Sequence, residues 1–98
     1  LNLNEGMLFI FRDKVLTPFW MKGVTFPLDI IWIADGRIVG IVERAEPEIG
    51  ITTDELTLYF PPRPVDQVLE ISAGRARLLN AHVGDQVIIK PIVPKGLY

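Results

Sequence analysis

The residues in this sequence that are best suited to chemistry are a tryptophan, a lysine and an aspartate in one largely apolar stretch. Trp20, Lys22 and Asp29 lie in this stretch together with the second tryptophan, Trp32. An ionised aspartate in apolar surroundings needs a positive partner or several hydrogen bonds, and Lys22 is the nearest cation in sequence outside the loops. We therefore predict an ion pair between Lys22 and Asp29 that fixes this stretch, with Trp20 in the core or at its rim.

A ligand-binding role for the same four residues is the alternative. Trp20 and Trp32 would form an aromatic floor, and Lys22 or Asp29 would contact a polar group of the ligand. The two indoles lie on one face of a sheet only if neighbouring strands align them. Under this hypothesis all four side chains are candidate ligand-binding residues.

Two arginines near the start of a predicted helix form a second candidate site. Backbone N–H groups at the helix start, together with Arg75 and Arg77, would hold an anion such as a carboxylate. The other interpretation is that both arginines face solvent and bind nothing. Neither candidate site suggests a reaction.

The sequence lacks the common patterns of catalytic and metal sites. The chain contains no cysteine, so thiolate nucleophiles, disulfides, zinc–thiolate sites and iron–sulfur clusters are excluded. Ser72 and the single histidine, His82, lie at opposite ends of one predicted helix, about 15 Å apart, which is too far for a nucleophile–base pair. The clustered acidic residues lack the spacing of a calcium-binding loop: Glu46, Glu48, Asp54 and Glu55. We expect no catalytic residue, no bound metal and no cofactor.

Length and composition indicate one globular domain. The chain has 98 residues, of which 49% are hydrophobic and 22% charged, and its formal net charge is -2. This length allows a single core, and this charge disfavours binding to nucleic acid. No apolar run approaches the roughly 18 residues that span a bilayer. We expect a single β-rich domain over residues 1–98, ending in a tail at 91–98, with no membrane span.

A hairpin must position the central aspartate. In residues 28–34 the odd-numbered and the even-numbered positions are all apolar except for Asp29. This pattern is typical of a strand buried on both faces. Asp35-Gly36 then favours a two-residue type I′ turn before a second β-branched run, residues 38–42. Counting outward from this turn predicts four pairs: Ile33 with Ile38, Trp32 with Val39, Ile31 with Gly40, and Ile30 with Ile41. Gly40 would leave room beside Ile31 for a neighbouring side chain or backbone.

The remaining elements are short. Predicted strands or extended pieces cover residues 7–11, 17–22, 56–60, 65–71 and 86–90, and Ser72 is predicted to cap a helix over 73–81. The strand at 65–71 alternates in the manner of a half-buried strand. We expect a mainly β fold (β-rich α+β), in which six or seven short strands and one short helix form a small antiparallel barrel or compressed sandwich.

Several sequence blocks together resemble domain-of-unknown-function family 192. The blocks occur in this order: Glu5-Gly6-Met7-Leu8-Phe9-Ile10-Phe11, Phe19-Trp20-Met21-Lys22, Pro27-Leu28-Asp29-Ile30-Ile31, Val68-Leu69-Glu70-Ile71 with Ala73-Gly74, and Val83-Gly84-Asp85-Gln86-Val87. The resemblance covers roughly residues 5–89. It implies a small β-rich prokaryotic domain, often exported or membrane-anchored, with no established activity, and it leaves the compartment open.

Two departures from the family pattern are visible. Members usually begin with a further segment that contains a Gly-Leu-Met motif, which this chain lacks, and asparagine is common where Gly23 stands. The first departure favours a strand, an export signal or both outside residues 1–98.

Two functional interpretations stay open. We favour a non-enzymatic binding or interaction module with a tryptophan-lined surface that takes a small molecule, a glycan or a protein. The alternative is an enzyme that acts on a carbohydrate or cell-envelope substrate through Asp29 and a second carboxylate such as Glu70 or Asp85. Glycosidic chemistry would require two carboxyl groups about 5 to 9.5 Å apart across a cleft.

Overall fold

The fold is built on one antiparallel sheet. The structure is a computed structural model that describes residues 5–90, so the predicted tail at 91–98 lies outside the described residues. Its strands are β1 (Met7–Val15), β2 (Leu28–Ala34), β3 (Arg37–Ala45) and β4 (Val65–Ser72). A 3-10 turn at Thr53–Glu55 lies between β3 and β4, and one helix, α1 (Arg75–Leu78), follows β4. The strand order is β1-β4-β2-β3, and every neighbouring pair is antiparallel. The chain is therefore mainly β with one short helix, as the sequence predicts.

The predicted strand count and closure are not found. Residues 5–90 form an open sheet of four strands rather than a barrel or sandwich of six or seven. The extended pieces expected at 17–22 and 56–60 meet in a single bridge between Phe19 and Tyr59, and the piece expected at 86–90 forms one bridge from Gln86 to Arg37. Pro18 lies within the first of these pieces and Pro61 follows the second, and neither can donate a backbone N–H to a longer ladder.

Strand β2 is the centre of the sheet. All seven of its residues are buried, which confirms the pattern predicted for 28–34. It lies between β3 and β4, so both of its edges are paired, and a hydrophobic cluster covers each of its two faces. Its even-numbered residues pack with Met21, Val65 and Val68 on one face. Ile31 and Ile33 pack with Ile71 and Ala76 on the other. We call these the aromatic face and the helix face, after the phenylalanines and the helix that cover them.

The predicted turn is present, but the register beyond it shifts. Asp35 and Gly36 have φ of 53° and 74°, as a type I′ turn requires. Ile33 pairs with Ile38 as expected, whereas Trp32 pairs with Gly40 rather than with Val39, because Val39 is an extra residue in a β-bulge. The register of the three outer predicted pairs is therefore wrong by one residue.

Helix α1 is shorter than predicted and begins differently. It covers four residues rather than 73–81. Ser72 is the last residue of β4, and Gly74, at φ 90°, occupies the N-cap position without a side-chain cap.

No helix within residues 5–90 has the length and apolar character needed to cross a bilayer.

Candidate ligand-binding site

A cavity opens on the aromatic face between β1, β4 and the segment at 17–24. Its volume is about 410 Å³. The lining residues used below are Phe9, Phe11, Phe19, Trp20, Lys22 and Glu70. We call this cavity the aromatic pocket.

Phe19 holds the wall of the aromatic pocket in place. Its backbone exchanges two hydrogen bonds of 2.8 Å with Tyr59, which fixes the segment at 17–22 over the sheet. Its ring meets Phe9 edge-to-face at 4.8 Å between centroids, and meets Trp32 edge-to-face at 5.5 Å. Such pairs contribute about 0.5–1.5 kcal/mol each beyond their buried area. The wall is therefore preformed rather than assembled by a ligand.

Trp20 and Lys22 form the outer rim. Trp20 is 40% exposed, and the Lys22 ammonium lies 5.3 Å from the centroid of its ring. This cation–π contact is worth about 0.5–1 kcal/mol at an exposed position. The residue between them, Met21, is fully buried, so the alternation of this segment turns Trp20 and Lys22 outward together.

Glu70 places a carboxyl group in the same pocket. Its residue is only 7% exposed, and burial away from water raises the pKa of the carboxyl above its ordinary value of 4.5. Within residues 5–90 the carboxylate forms no hydrogen bond or ion pair. Every fully buried polar side-chain atom in that range has a hydrogen-bond partner. Because the carboxylate oxygens of Glu70 have none, they are not fully buried and keep access to the cavity.

The sequence indicates Glu70 only as a possible second carboxylate of an enzyme. The sequence predicts a half-buried strand at 65–71, whereas β4 is paired at both edges, with β1 and β2, and none of its residues is exposed. The sequence predicts a strand over residues 7–11, which contains the pocket residues Phe9 and Phe11, but it indicates no site there. Their alternate spacing, which places both on one face, is the signal that was available.

Asp29 lies on the opposite side of the sheet, where backbone N–H groups bind its carboxylate. It is 1% exposed. One carboxylate oxygen accepts a hydrogen bond from Arg44 N at 2.9 Å, and the other accepts from Gly74 N and Ala76 N, both at 3.0 Å. The predicted ion pair with Lys22 is wrong, because three backbone N–H groups satisfy Asp29 and Lys22 lies over Trp20.

The remaining predicted site residues do not join the pocket. Trp32 is 2% exposed and belongs to the core, so the predicted floor of two indoles is corrected to one accessible indole, Trp20. Arg77 pairs with Glu43 at 3.0 Å on the surface. Arg75 lies in the same helix, whose first N–H groups already bind the carboxylate of Asp29, so the anion predicted there is supplied by the chain itself.

The carboxylates proposed for an enzyme are not paired across a cleft. Glu70 is opposite Ile30 and Asp29 is opposite Ile71, so the two acids project from opposite faces of the sheet. Asp85 accepts a hydrogen bond from His82 N at 2.8 Å in a surface turn. The His, Asp and Glu side chains of residues 5–90 form no group of three suited to a metal ion.

Comparisons with known proteins agree with this fold and assign no activity. A protein from Novosphingobium aromaticivorans DSM 12444, of unknown function, has a crystal structure with 33% identity and a TM-score of 0.75, over 88% of this chain and 58% of its own. A protein from Sinorhizobium meliloti 1021, provisionally named a transcription regulator, has a crystal structure with 34% identity and a TM-score of 0.74, over 88% of this chain and 63% of its own. The chain thus spans about three-fifths of the length of these solved relatives.

A comparison with curated proteins found no match. A family model described as uncharacterised ACR matches residues 1–89, which is nearly the whole chain. The chain therefore belongs to domain-of-unknown-function family 192.

Proposed function

We propose that this protein is a non-enzymatic binding module whose ligand enters the aromatic pocket. The observation that carries the proposal is the exposure of Trp20, 40%, at the rim of a preformed cavity of about 410 Å³. Cavities of about 300–1,000 Å³ with aromatic walls and few polar groups are typical of small-ligand sites. An exposed indole beside such a cavity is a contact surface available to a ligand.

The arrangement of acids supports binding over catalysis. Asp29, the residue on which the enzyme alternative depends, accepts hydrogen bonds from three backbone N–H groups and is almost inaccessible. The polar groups of the aromatic pocket, Glu70 and Lys22, are suited to orienting a ligand within apolar walls.

The proposal is tested by mapping a small-molecule and glycan fragment library onto the protein with ¹H–¹⁵N NMR. We expect hits that shift the indole N–H of Trp20 and the amides of Phe9 and Phe19. Trp20→Ala should weaken those hits several-fold because it removes one wall. Leu78→Ala is the matched control, since Leu78 is 78% exposed on α1, across the sheet from the pocket. Hits that map elsewhere and ignore Trp20→Ala would contradict the proposal.

A further inference from the structure

We infer that the ligand of the aromatic pocket carries an organic ammonium group, which lies between the carboxylate of Glu70 and the aromatic rings. This inference rests on the proposed function and adds the chemical class of the ligand. It follows from the charge, the burial and the ring chemistry of the pocket residues.

Glu70 supplies the anion. Glu70 is 7% exposed as a residue, so burial removes part of the hydration of its carboxylate, and no group within residues 5–90 forms a hydrogen bond or ion pair with that carboxylate. Removing one partner of a buried charge is costly, and restoring a partner recovers that cost. A cation that enters the pocket would therefore gain a charge-assisted contact that a neutral ligand of the same shape would lack.

The rings supply a second attraction for a cation. The faces of aromatic rings carry negative charge density, and an ammonium within about 6 Å of a ring centroid is attracted to it. Trp20 already holds one ammonium, that of Lys22, at 5.3 Å. Phe9 and Phe19 line the same cavity as Glu70. The aromatic rings and the Glu70 carboxylate thus both favour a ligand with an ammonium group.

Lys22 does not reverse this preference. It is an exposed residue, so water and salt screen its charge, whereas the charge of Glu70 lies in a region of lower dielectric constant. Burial away from water also raises the pKa of the Glu70 carboxyl above its ordinary value. An anion in the cavity would therefore meet the stronger repulsion from Glu70.

The test compares benzylammonium, benzyl alcohol and benzoate, which share one ring and differ in charge, by NMR titration at neutral pH and fixed ionic strength. We expect benzylammonium to bind about tenfold more tightly than benzyl alcohol, as a charge-assisted contact predicts. Glu70→Gln should reduce this ratio to about one while leaving the alcohol bound. Glu55→Gln is the matched control, because it removes the same charge from an exposed position outside the pocket.

The outcomes separate this inference from the proposed function. If benzyl alcohol or benzoate shifts Trp20 and binds as tightly as benzylammonium, the ammonium class is overturned and the binding pocket stands. If none of the three probes shifts Trp20 or its neighbours, both the inference and the proposed function fail. If Glu55→Gln lowers the ratio as much as Glu70→Gln, the preference reflects net charge and the inference is also overturned. Near-UV circular dichroism of each variant checks that the core around Trp32 is intact.

Discussion

At the scale of single residues, the two buried acids have opposite situations. The Asp29 carboxylate accepts hydrogen bonds from backbone N–H groups of two other segments, so it joins β2 to Arg44 in β3 and to the start of α1. Glu70 is nearly as buried, yet its carboxylate has no partner within residues 5–90. Complete hydrogen bonding is typical of a structural acid. An uncompensated buried acid beside a cavity is typical of a functional one.

Asp29→Ala should destabilise the protein by roughly 3 kcal/mol or more, because it leaves three backbone N–H groups without an acceptor. Lys22→Ala should cost less than about 1 kcal/mol, the worth of an exposed cation–π contact. Urea denaturation of both variants and of the double variant provides the measurement. Since the two side chains lie on opposite faces, their effects should add within about 0.5 kcal/mol, and a larger coupling would restore the ion pair that the sequence suggested.

Glu70 should make stability fall as pH rises. Its pKa in the folded state is raised by burial above the ordinary value of 4.5, so over the interval between these two values the folded state binds more protons than the unfolded state. The free energy of unfolding therefore decreases through that interval and the penalty is constant above it.

Glu70→Gln should remove this dependence and should be the more stable protein at neutral pH. Denaturation midpoints of wild type and Glu70→Gln measured from pH 4 to pH 8 should diverge as pH rises. Glu55→Gln, on an exposed residue, serves as the comparison. A wild-type curve parallel to that of Glu70→Gln would show that the carboxyl is not penalised by burial.

At the scale of elements, local pattern and turn chemistry predict the hairpin, but tertiary contacts set its register. Asp35-Gly36 adopts the predicted turn because both residues tolerate positive φ. Gly40, the residue after the bulge at Val39, packs closely against two side chains. A Cβ added at Gly40 would lie 3.0 Å from Pro62 Cγ and 3.1 Å from Trp32 Cδ1. Pro62 is distant in sequence, so the hairpin alone contains no sign of it.

Gly40→Ala should destabilise the protein by about 1–3 kcal/mol, because the added methyl group must displace the Pro62 ring or the Trp32 indole in a packed region. Thermal or urea denaturation measures the loss. Replacing Pro62 by alanine in the Gly40→Ala background should recover part of it, since one of the two obstacles is then removed. Full additivity of the two substitutions would show that Pro62 does not restrict this position.

At the scale of the whole molecule, the sequence predicts which segments are strands better than it predicts their neighbours. The four strands of the sheet fall at segments that the pattern marks as strands. Insertion of β4 between β1 and β2 is a long-range pairing that no local pattern encodes, and it is this insertion that buries Glu70. The donors to Asp29 at Gly74 and Ala76 are likewise brought near by the fold. The sequence therefore predicts the rim of the candidate site, Trp20 and Lys22, and indicates Glu70 only as an acid that would act together with Asp29.

The division of the two tryptophans between pocket and core leads to the last prediction. Trp20 is 40% exposed at the rim of the aromatic pocket, whereas Trp32 is 2% exposed under Phe19. Acrylamide should quench one class of tryptophan fluorescence efficiently and leave the other protected, because a neutral quencher reaches only an indole with open surface. Trp20→Phe should remove the accessible class and leave a protected signal from Trp32. Two protected indoles in a folded monomer would mean that the pocket rim is closed in solution, and a single accessible class that survives Trp20→Phe would place the open surface at Trp32 instead.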